Sequence, residues 1–452
     1  MTVDTVDRAV TLPGALEFIG RCAGYACVLL GAAWLAWPWS LAPTAAVTLM
    51  ATGALIWSWW HPASFGRASG CLRGWIWRRA IVRDWETVCA RCGLAEIEVP
   101  AVRRSRVAFP HVELQVRPAL GQTISDFEGA AEAVRSGVGA SRVRVEACGT
   151  RDVLLTFTVG DPLRLSFDAR PAAALEQLDA VPMGRREDGL EWRLAIGPHT
   201  LVAGSSGSGK GSVFWSLAFG LAPAVHSGRV QLHGIDLKGG MEVLMGRTLF
   251  TTTATNAAEA VAVLELLVGW MRERAQRYAG QVRSHVPSVD EPLHVVMIDE
   301  LAALTAYCPE RDLQRRAETA INLLCSQGRA PGFMVFACLQ DPRKEVIPAR
   351  GLFTQMVGLR LKDLSETSMV LGETAVLSGA HCHRIPRDMP GTGYVLPEEG
   401  GHPIRVRAGF ASDRAIREVA DRFATSAAVP IVVPDPDPQD RPRRTRSSEV
   451  AS

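Results

Sequence analysis

Between Cys22 and Trp60 the chain carries no charged residue, and beyond that point its apolar positions fall into strand and helix rhythms. The charge-free run divides at Pro38-Trp39-Ser40 into two stretches, each near the ~20 residues that span a bilayer as a helix. It predicts a transmembrane hairpin within residues 1–64. Trp37 and Trp39 at the turn, with Trp57, Trp59 and Trp60 at the exit, put aromatic rings at both interfaces. Arg8 and Arg21 precede the first span and Arg67, Arg73, Arg78, Arg79 and Arg83 follow the second, so both ends are expected on the cytoplasmic side. The rival readings are a cleaved signal peptide and a buried helical hairpin. Residues 65–95, rich in Arg and Trp, predict a basic juxtamembrane helix.

Alternation then predicts a small α/β connector over residues 96–178. Its strands are expected at Val112–Val116, Arg142–Glu146 and Val153–Val159. Thr123 followed by Asp126 reads as a capping box, and Ile124, Phe127, Ala131, Val134 and Val138 form the stripe of the helix behind it. Residues 179–427 repeat strand and helix. The strands are expected at 200–203, 229–236, 293–298, 333–340 and 356–361, with a helix from Asn256 to Tyr278. Such alternation implies a mostly parallel sheet with helices on both faces and ligand chemistry at the carboxyl ends of the strands. Residues 428–452, with Pro-Asp-Pro-Asp-Pro and Arg441-Pro442-Arg443-Arg444-Thr445-Arg446, read as a Pro/Arg-rich tail too short to fold.

The first of these strands runs into Gly204-Ser205-Ser206-Gly207-Ser208-Gly209-Lys210-Gly211-Ser212. The glycines let successive backbone N–H groups turn inward around a polyphosphate, the following helix points its positive end at the same anion, and Lys210 adds a mobile cation. ATP and Mg²⁺ are the expected ligands. Gly211 stands where such loops carry the Ser or Thr that coordinates Mg²⁺, so Ser212 or an acid elsewhere must take over. Leu293–Ile298 closes on Asp299-Glu300, an apolar strand delivering two carboxylates. Asp299 is expected to hold Mg²⁺ and Glu300 to polarise the attacking water. Asp236 and Lys238, in Ile-Asp-Leu-Lys-Gly-Gly, and Gln340, closing Phe-Ala-Cys-Leu-Gln, fall at the strands' carboxyl ends, Gln340 being placed to sense the γ-phosphate. Taken singly, the loop could be a flexible linker and the acids a solvated strand end; both together, in this order, read as one site.

Composition changes this picture little. At 452 residues, 47% hydrophobic and 21% charged, the chain is globular and long enough for two or three domains. Its net charge of +2 selects no partner. Only four of the 49 basic residues are lysines, yet one of the four is Lys210. The ten cysteines lack paired spacing, and a cytoplasmic body keeps them reduced. Cys89-x-x-Cys92 would need two more zinc ligands, and His381-Cys382-His383 is far along the chain, so a structural role is the expectation.

Five further stretches carry a family resemblance: Gly-Ile-Asp-Leu-Lys-Gly-Gly-Met-Glu (234–242), Arg-Ala-Gln-Arg-Tyr (274–278), Ile-Asp-Glu-Leu-Ala (298–302), Gly-Arg-Ala-Pro-Gly (328–332) and Ile-Pro-Arg-Asp-Met-Pro-Gly-Thr-Gly-Tyr (385–394). In order and spacing they resemble the motor motifs of FtsK/SpoIIIE-type DNA translocases, specifically the shorter Tra proteins of actinomycete conjugative elements, in which Gly then Ser also follows the loop lysine. The resemblance implies a RecA-like motor, anchored in the inner membrane, that assembles into a homo-oligomeric, expectedly hexameric, ring. It implies movement of double-stranded DNA without sequence specificity, since a winged-helix reading module is lacking after Ile416–Ala424. Conjugative transfer is the expected service. Chromosome segregation and membrane-anchored protein secretion are the alternatives. No arginine adjoins the acids in sequence, so a neighbouring subunit is expected to supply one, Arg329 before Arg360.

Overall fold

The computed structural model describes residues 41–95, 98–173, 177–343, 350–397 and 401–431. They fall into two compact units that divide between Gly160 and Asp161.

The first unit opens with helices α1 (Leu41–Trp60) and α2 (Pro62–Arg91), the latter entered through Pro62 at its first turn, where a missing N–H costs nothing. Among the described residues no helix is long and apolar enough to cross a membrane. The expected hairpin is therefore unsupported. Its first span and turn, through Ser40, lie outside the described residues, and its second coincides with α1.

Strands β1 (Ala101–Ala108) and β2 (His111–Arg117), helix α3 (Ile124–Val138), and strands β3 (Arg142–Cys148) and β4 (Asp152–Thr158) follow. The sheet is antiparallel, in the order β1-β2-β4-β3. The capping box forms as the sequence predicts: Thr123 N–H donates to Asp126 Oδ2 at 2.6 Å. Beyond the sequence reading, the second half of α2 belongs to this core. Ile81, Trp85, Val88 and Cys89 recur at helical spacing and pack with Leu114, Phe127 and Phe157. Trp85 Nε1–H finds the Pro100 carbonyl at 2.8 Å, which lets a buried indole keep its donor satisfied. Cys89 is buried in that core, and burial pushes its thiol up to about 12, the behaviour of an inert packing residue.

The second unit is built on strands β5 (Ala180–Arg186), β6 (Glu191–Ala195) and β7 (Thr200–Ala203), helix α4 (Lys210–His226), strands β8 (Val230–Ile235) and β9 (Phe250–Ala254), helix α5 (Ala257–Tyr278) and strand β10 (Leu293–Ile298). It continues with helices α6 (Ala302–Thr305) and α7 (Arg311–Gln327), strands β11 (Phe333–Leu339) and β12 (Gln355–Leu359), helices α8 (Leu364–Leu371) and α9 (Glu373–Leu377), strands β13 (Thr392–Val395) and β14 (Ile404–Ala408), and helix α10 (Asp413–Arg422). Ten strands make one sheet, ordered β6-β5-β14-β13-β12-β7-β11-β10-β8-β9. From β12 to β9 every pairing is parallel, and from β12 to β6 every pairing is antiparallel. The expected parallel sheet is thus present, extended by an antiparallel edge whose short, partly charged strands carry little periodic signal.

Alternate residues of each central strand serve opposite faces. Val202, Val295, Met297 and Phe336 share a core with α4 and α10, whereas Leu201, Val296, Ile298 and Val335 share one with α5 and α7. Covered on both sides, these strands read as near-continuous apolar runs, interrupted at Gln231 and His233 of β8 and at His294 of β10. Asn256 caps α5, its Oδ1 accepting from Glu259 N at 3.0 Å.

One polar chain crosses the interior. His233 Nε2 lies 3.1 Å from His294 Nδ1, and His294 Nε2 lies 3.1 Å from the buried Arg274 guanidinium, which also donates to the Pro292 and Pro331 carbonyls. Burial pushes His233 down to about 3 and His294 well below its usual value. An unfolded chain protonates these imidazoles near pH 6.5 while the folded one does not, so stability is full above that value and falls as pH drops towards 3. Each histidine contributes a slope of up to about 1.4 kcal/mol per pH unit. Thermal melts between pH 7.5 and 5 should show a falling midpoint, with a shallower fall in His233→Asn; equal slopes would remove this pair as the cause.

Candidate functional site

The phosphate loop hangs between β7 and α4. Gly204 N–H donates to Leu339 O at 3.0 Å and Ser205 N–H to Arg360 O at 2.9 Å, so the loop is laced to the carboxyl ends of β11 and β12. Gly209 has φ +93°, and a Cβ there would lie 2.0 Å from Gly391 N, whose own N–H donates to Ser208 O at 2.8 Å. Only glycine fits that approach. Gly204 is equally crowded, since its Cβ would meet Ser208 Oγ at 2.4 Å. Ser206 and Gly207 form the exposed tip, with Gly207 at φ +68°.

Lys210 opens α4, a helix enclosed on nearly every side. Its Nζ donates to Gly204 O at 2.7 Å, and burial pulls the ammonium's pKa below its ordinary value. Asp299 and Glu300, just past the end of β10, are 6% and 8% exposed. Charges this buried persist only when partnered, and one partner is Lys238: its Nζ lies 3.1 Å from Asp299 Oδ2 and 3.4 Å from Glu300 Oε2. Partial burial lowers the Lys238 pKa, but the two carboxylates outweigh that and hold it above the usual lysine value. The other Glu300 oxygen accepts from Gln340 N–H at 3.2 Å. Gln340 therefore reaches the acids through its backbone.

Asp236 is 1% exposed and organises the loop after β8, accepting from Lys238 N–H at 2.9 Å and Glu242 N–H at 2.8 Å. Its carboxylate serves that loop. Glu242 in turn accepts from Trp215 Nε1–H at 2.8 Å, and a Cβ on Gly211 would lie 2.9 Å from its Oε1. Burial raises the Glu242 pKa, the Trp215 hydrogen bond opposes that, and the charges of Asp299 and Asp236 reinforce it. Ser212 sits against the turn at Gly391, with its Cβ 3.6 Å from where a Cβ on Gly391 would be.

The fold thus brings Gly204 to Ser212, Asp299, Glu300 and Gln340 to one edge. It does not bring Arg329 there. That exposed residue precedes β11, at the opposite end of the strand from Gln340. Arg360 is at its own loop, donating to Ser206 O at 2.9 Å. The contacts of Lys238, Glu242, Arg360 and Gly391 escape sequence reasoning because each crosses from one strand connection to another; for Lys238, Glu242 and Gly391 the signal was their presence in the family motifs, and Arg360 lies outside them.

Residues and ligands fit. The glycine cradle leaves room for backbone alone, and the Ser205 and Ser208 hydroxyls are buried without a partner. Among the described residues no three His, Cys, Asp or Glu side chains could hold a metal by themselves. That suits magnesium arriving with phosphates, which needs only one or two carboxylates and keeps several waters.

Residues 178–286 match the family model of FtsK/SpoIIIE. The chain is 26% identical over 373 residues to Transfer protein TraSA of Streptomyces ambofaciens, covering 77% of this chain and 86% of that protein. It is also 26% identical over 357 residues to DNA translocase FtsK of Streptococcus pyogenes serotype M3, covering 71% of this chain but only 42% of that longer protein. In fold it is similar to the conjugation coupling protein TcpA of pCW3, in its monomer form with ATPgS, at a TM-score of 0.50 and 17% identity over 75% of this chain and 98% of that one.

Proposed function

We propose that the chain, whose residues 178–286 match the FtsK/SpoIIIE family model, is an ATP-driven motor that moves double-stranded DNA for transfer of a conjugative element. The observation that carries the reading is the convergence of Lys210, Asp299 and Glu300 at one sheet edge in a chain similar over most of its length to a transfer protein.

In this mechanism the loop N–H groups and Lys210 would hold the phosphates, and Asp299 would hold magnesium. Magnesium, when bound, would neutralise charge on the β- and γ-phosphates. Glu300 takes the proton of the attacking water, fixed on one side by Gln340 N–H. Lys238 must leave Glu300 for that, because its ammonium holds the oxygen at 3.4 Å. A ring of such subunits would pass DNA through its centre, gripping phosphates. The charge-free run 22–60 would anchor the ring in the inner membrane, with the motor in the cytoplasm.

The test is ATP hydrolysis with and without duplex DNA. Duplexes of unrelated sequence should stimulate turnover alike, with affinity falling steeply from 50 to 200 mM salt. The full chain should sediment with membranes, and a truncation starting at residue 65 should not. Stimulation by a polypeptide cargo with none by DNA would transfer the reading to secretion.

A further inference from the structure

The P-loop lacks its hydroxyl at Gly211, and something else fills that space. A Cβ built on Gly211 would meet Glu242 Oε1 at 2.9 Å and both Glu242 Cδ and Oε2 at 3.5 Å. A serine or threonine at 211 and a glutamate at 242 in this pose exclude one another. Ser212, one residue along α4, has its Cβ beside Gly391.

The carboxylate is held there from two sides. Trp215, one helical turn beyond Gly211 and 1% exposed, donates to Oε2 at 2.8 Å, and its ring is locked against Phe214, Phe219 and Phe250. The main chain of Glu242 is tied to Asp236 at 2.8 Å. Between them Gly239 and Gly240, at φ +78° and +75°, let the loop double back, and Gly240 has no space for a side chain, its Cβ position lying 2.6 Å from Leu244 Cδ1. A polar oxygen is thus delivered to the first turn of α4 from a different strand connection. A carboxylate is a harder, more strongly binding ligand for magnesium or its waters than the hydroxyl it replaces.

We propose that Glu242 supplies the protein oxygen towards the nucleotide's Mg²⁺ that Gly211 cannot, so that this motor binds its metal between Glu242 and Asp299. The proposal rests on the ATPase reading and deepens it by naming a ligand.

The test uses the purified full chain and two binding readouts: fluorescent ATP analogue titrated in EDTA, and Mn²⁺ titrated by electron paramagnetic resonance in the presence of ATPγS. Glu242→Gln keeps an acceptor for Trp215 and removes only the charge. It should bind nucleotide in EDTA as the parent does, while its Mn²⁺ affinity falls at least about tenfold, the range seen when ligands or their supports are lost. Gly211→Ser combined with Glu242→Ala restores the general pattern in the vacated space and should recover most of the Mn²⁺ affinity that Glu242→Ala alone loses. Unchanged Mn²⁺ affinity in Glu242→Gln, or a loss confined to Ser212→Ala, would overturn the assignment while leaving the ATPase reading in place. Failure of the parent chain to bind nucleotide in either condition would remove both.

Discussion

Glu300→Gln should bind ATP about as well as the parent chain and hydrolyse it at least ~10²-fold more slowly, the scale on which a positioned general base acts. Lys210→Ala should lose nucleotide binding itself. The two differ because of what each side chain touches. An amide at 300 can still accept from Gln340 N–H, which lies 3.2 Å from Glu300 Oε1, so the end of β11 stays docked and the phosphate loop is undisturbed. Lys210 is bonded to the loop at Gly204 O, 2.7 Å away, and supplies the cation that faces the phosphates; its loss removes binding and leaves a buried carbonyl without its donor. Fluorescent-nucleotide binding and phosphate release, measured on the same preparations, separate the two outcomes. Turnover in Glu300→Gln within tenfold of the parent would end the assignment of Glu300 as base, and Asp299 would be the carboxylate to examine next.

Rings containing both Arg329→Ala and Lys210→Ala subunits should recover hydrolysis that neither variant shows alone. An arginine supplied in trans is worth ~10³-fold or more in phosphoryl transfer. In this fold Arg329 is exposed at the amino end of β11, whereas Glu300, Gln340 and the loop lie at the carboxyl ends. Such a residue can act only on another subunit's nucleotide. In a mixed ring some interfaces pair an intact Lys210 with an intact Arg329, and those interfaces turn over. Arg360 is the internal control. It is bonded to Ser206 O within its own subunit, so Arg360→Ala should weaken nucleotide binding in cis and gain nothing from mixing. No recovery in rings shown to be mixed would exclude Arg329, as would full activity of Arg329→Ala alone.

The resting partnership of Lys238 with Asp299 and Glu300 bears on both experiments. Lys238, spanning Asp299 and Glu300, keeps two buried charges compensated, and under the proposed mechanism it would have to let go for turnover. Lys238 is in the loop that also carries Glu242, and Asp236 fixes both backbones. Movement of this one loop would therefore change metal binding and base release together.

The sequence by itself determined what is local. The phosphate loop is contiguous because its ligands are successive backbone N–H groups, so Gly204 to Lys210 could be read directly. The acids Asp299 and Glu300 were legible because a strand buried on both faces reads as a largely apolar run, here Val295 to Ile298, that stops where charges begin. Caps at Thr123 and Asn256 were legible because a cap and its hydrogen-bond partner lie within one turn. Tertiary structure alone decided the rest. The order β12-β7-β11-β10-β8 sets the loops after β12 and β8 beside the phosphate loop and the acids. That adjacency puts Arg360 on Ser206, Lys238 on Glu300 and Glu242 in the space Gly211 leaves. It also sets Ser212, the sequence's candidate for the missing hydroxyl, beside Gly391. A gap in a motif shows which atom is missing; which group replaces it depends on strand order, and strand order is set by the burial of both faces of the sheet, to which every strand contributes.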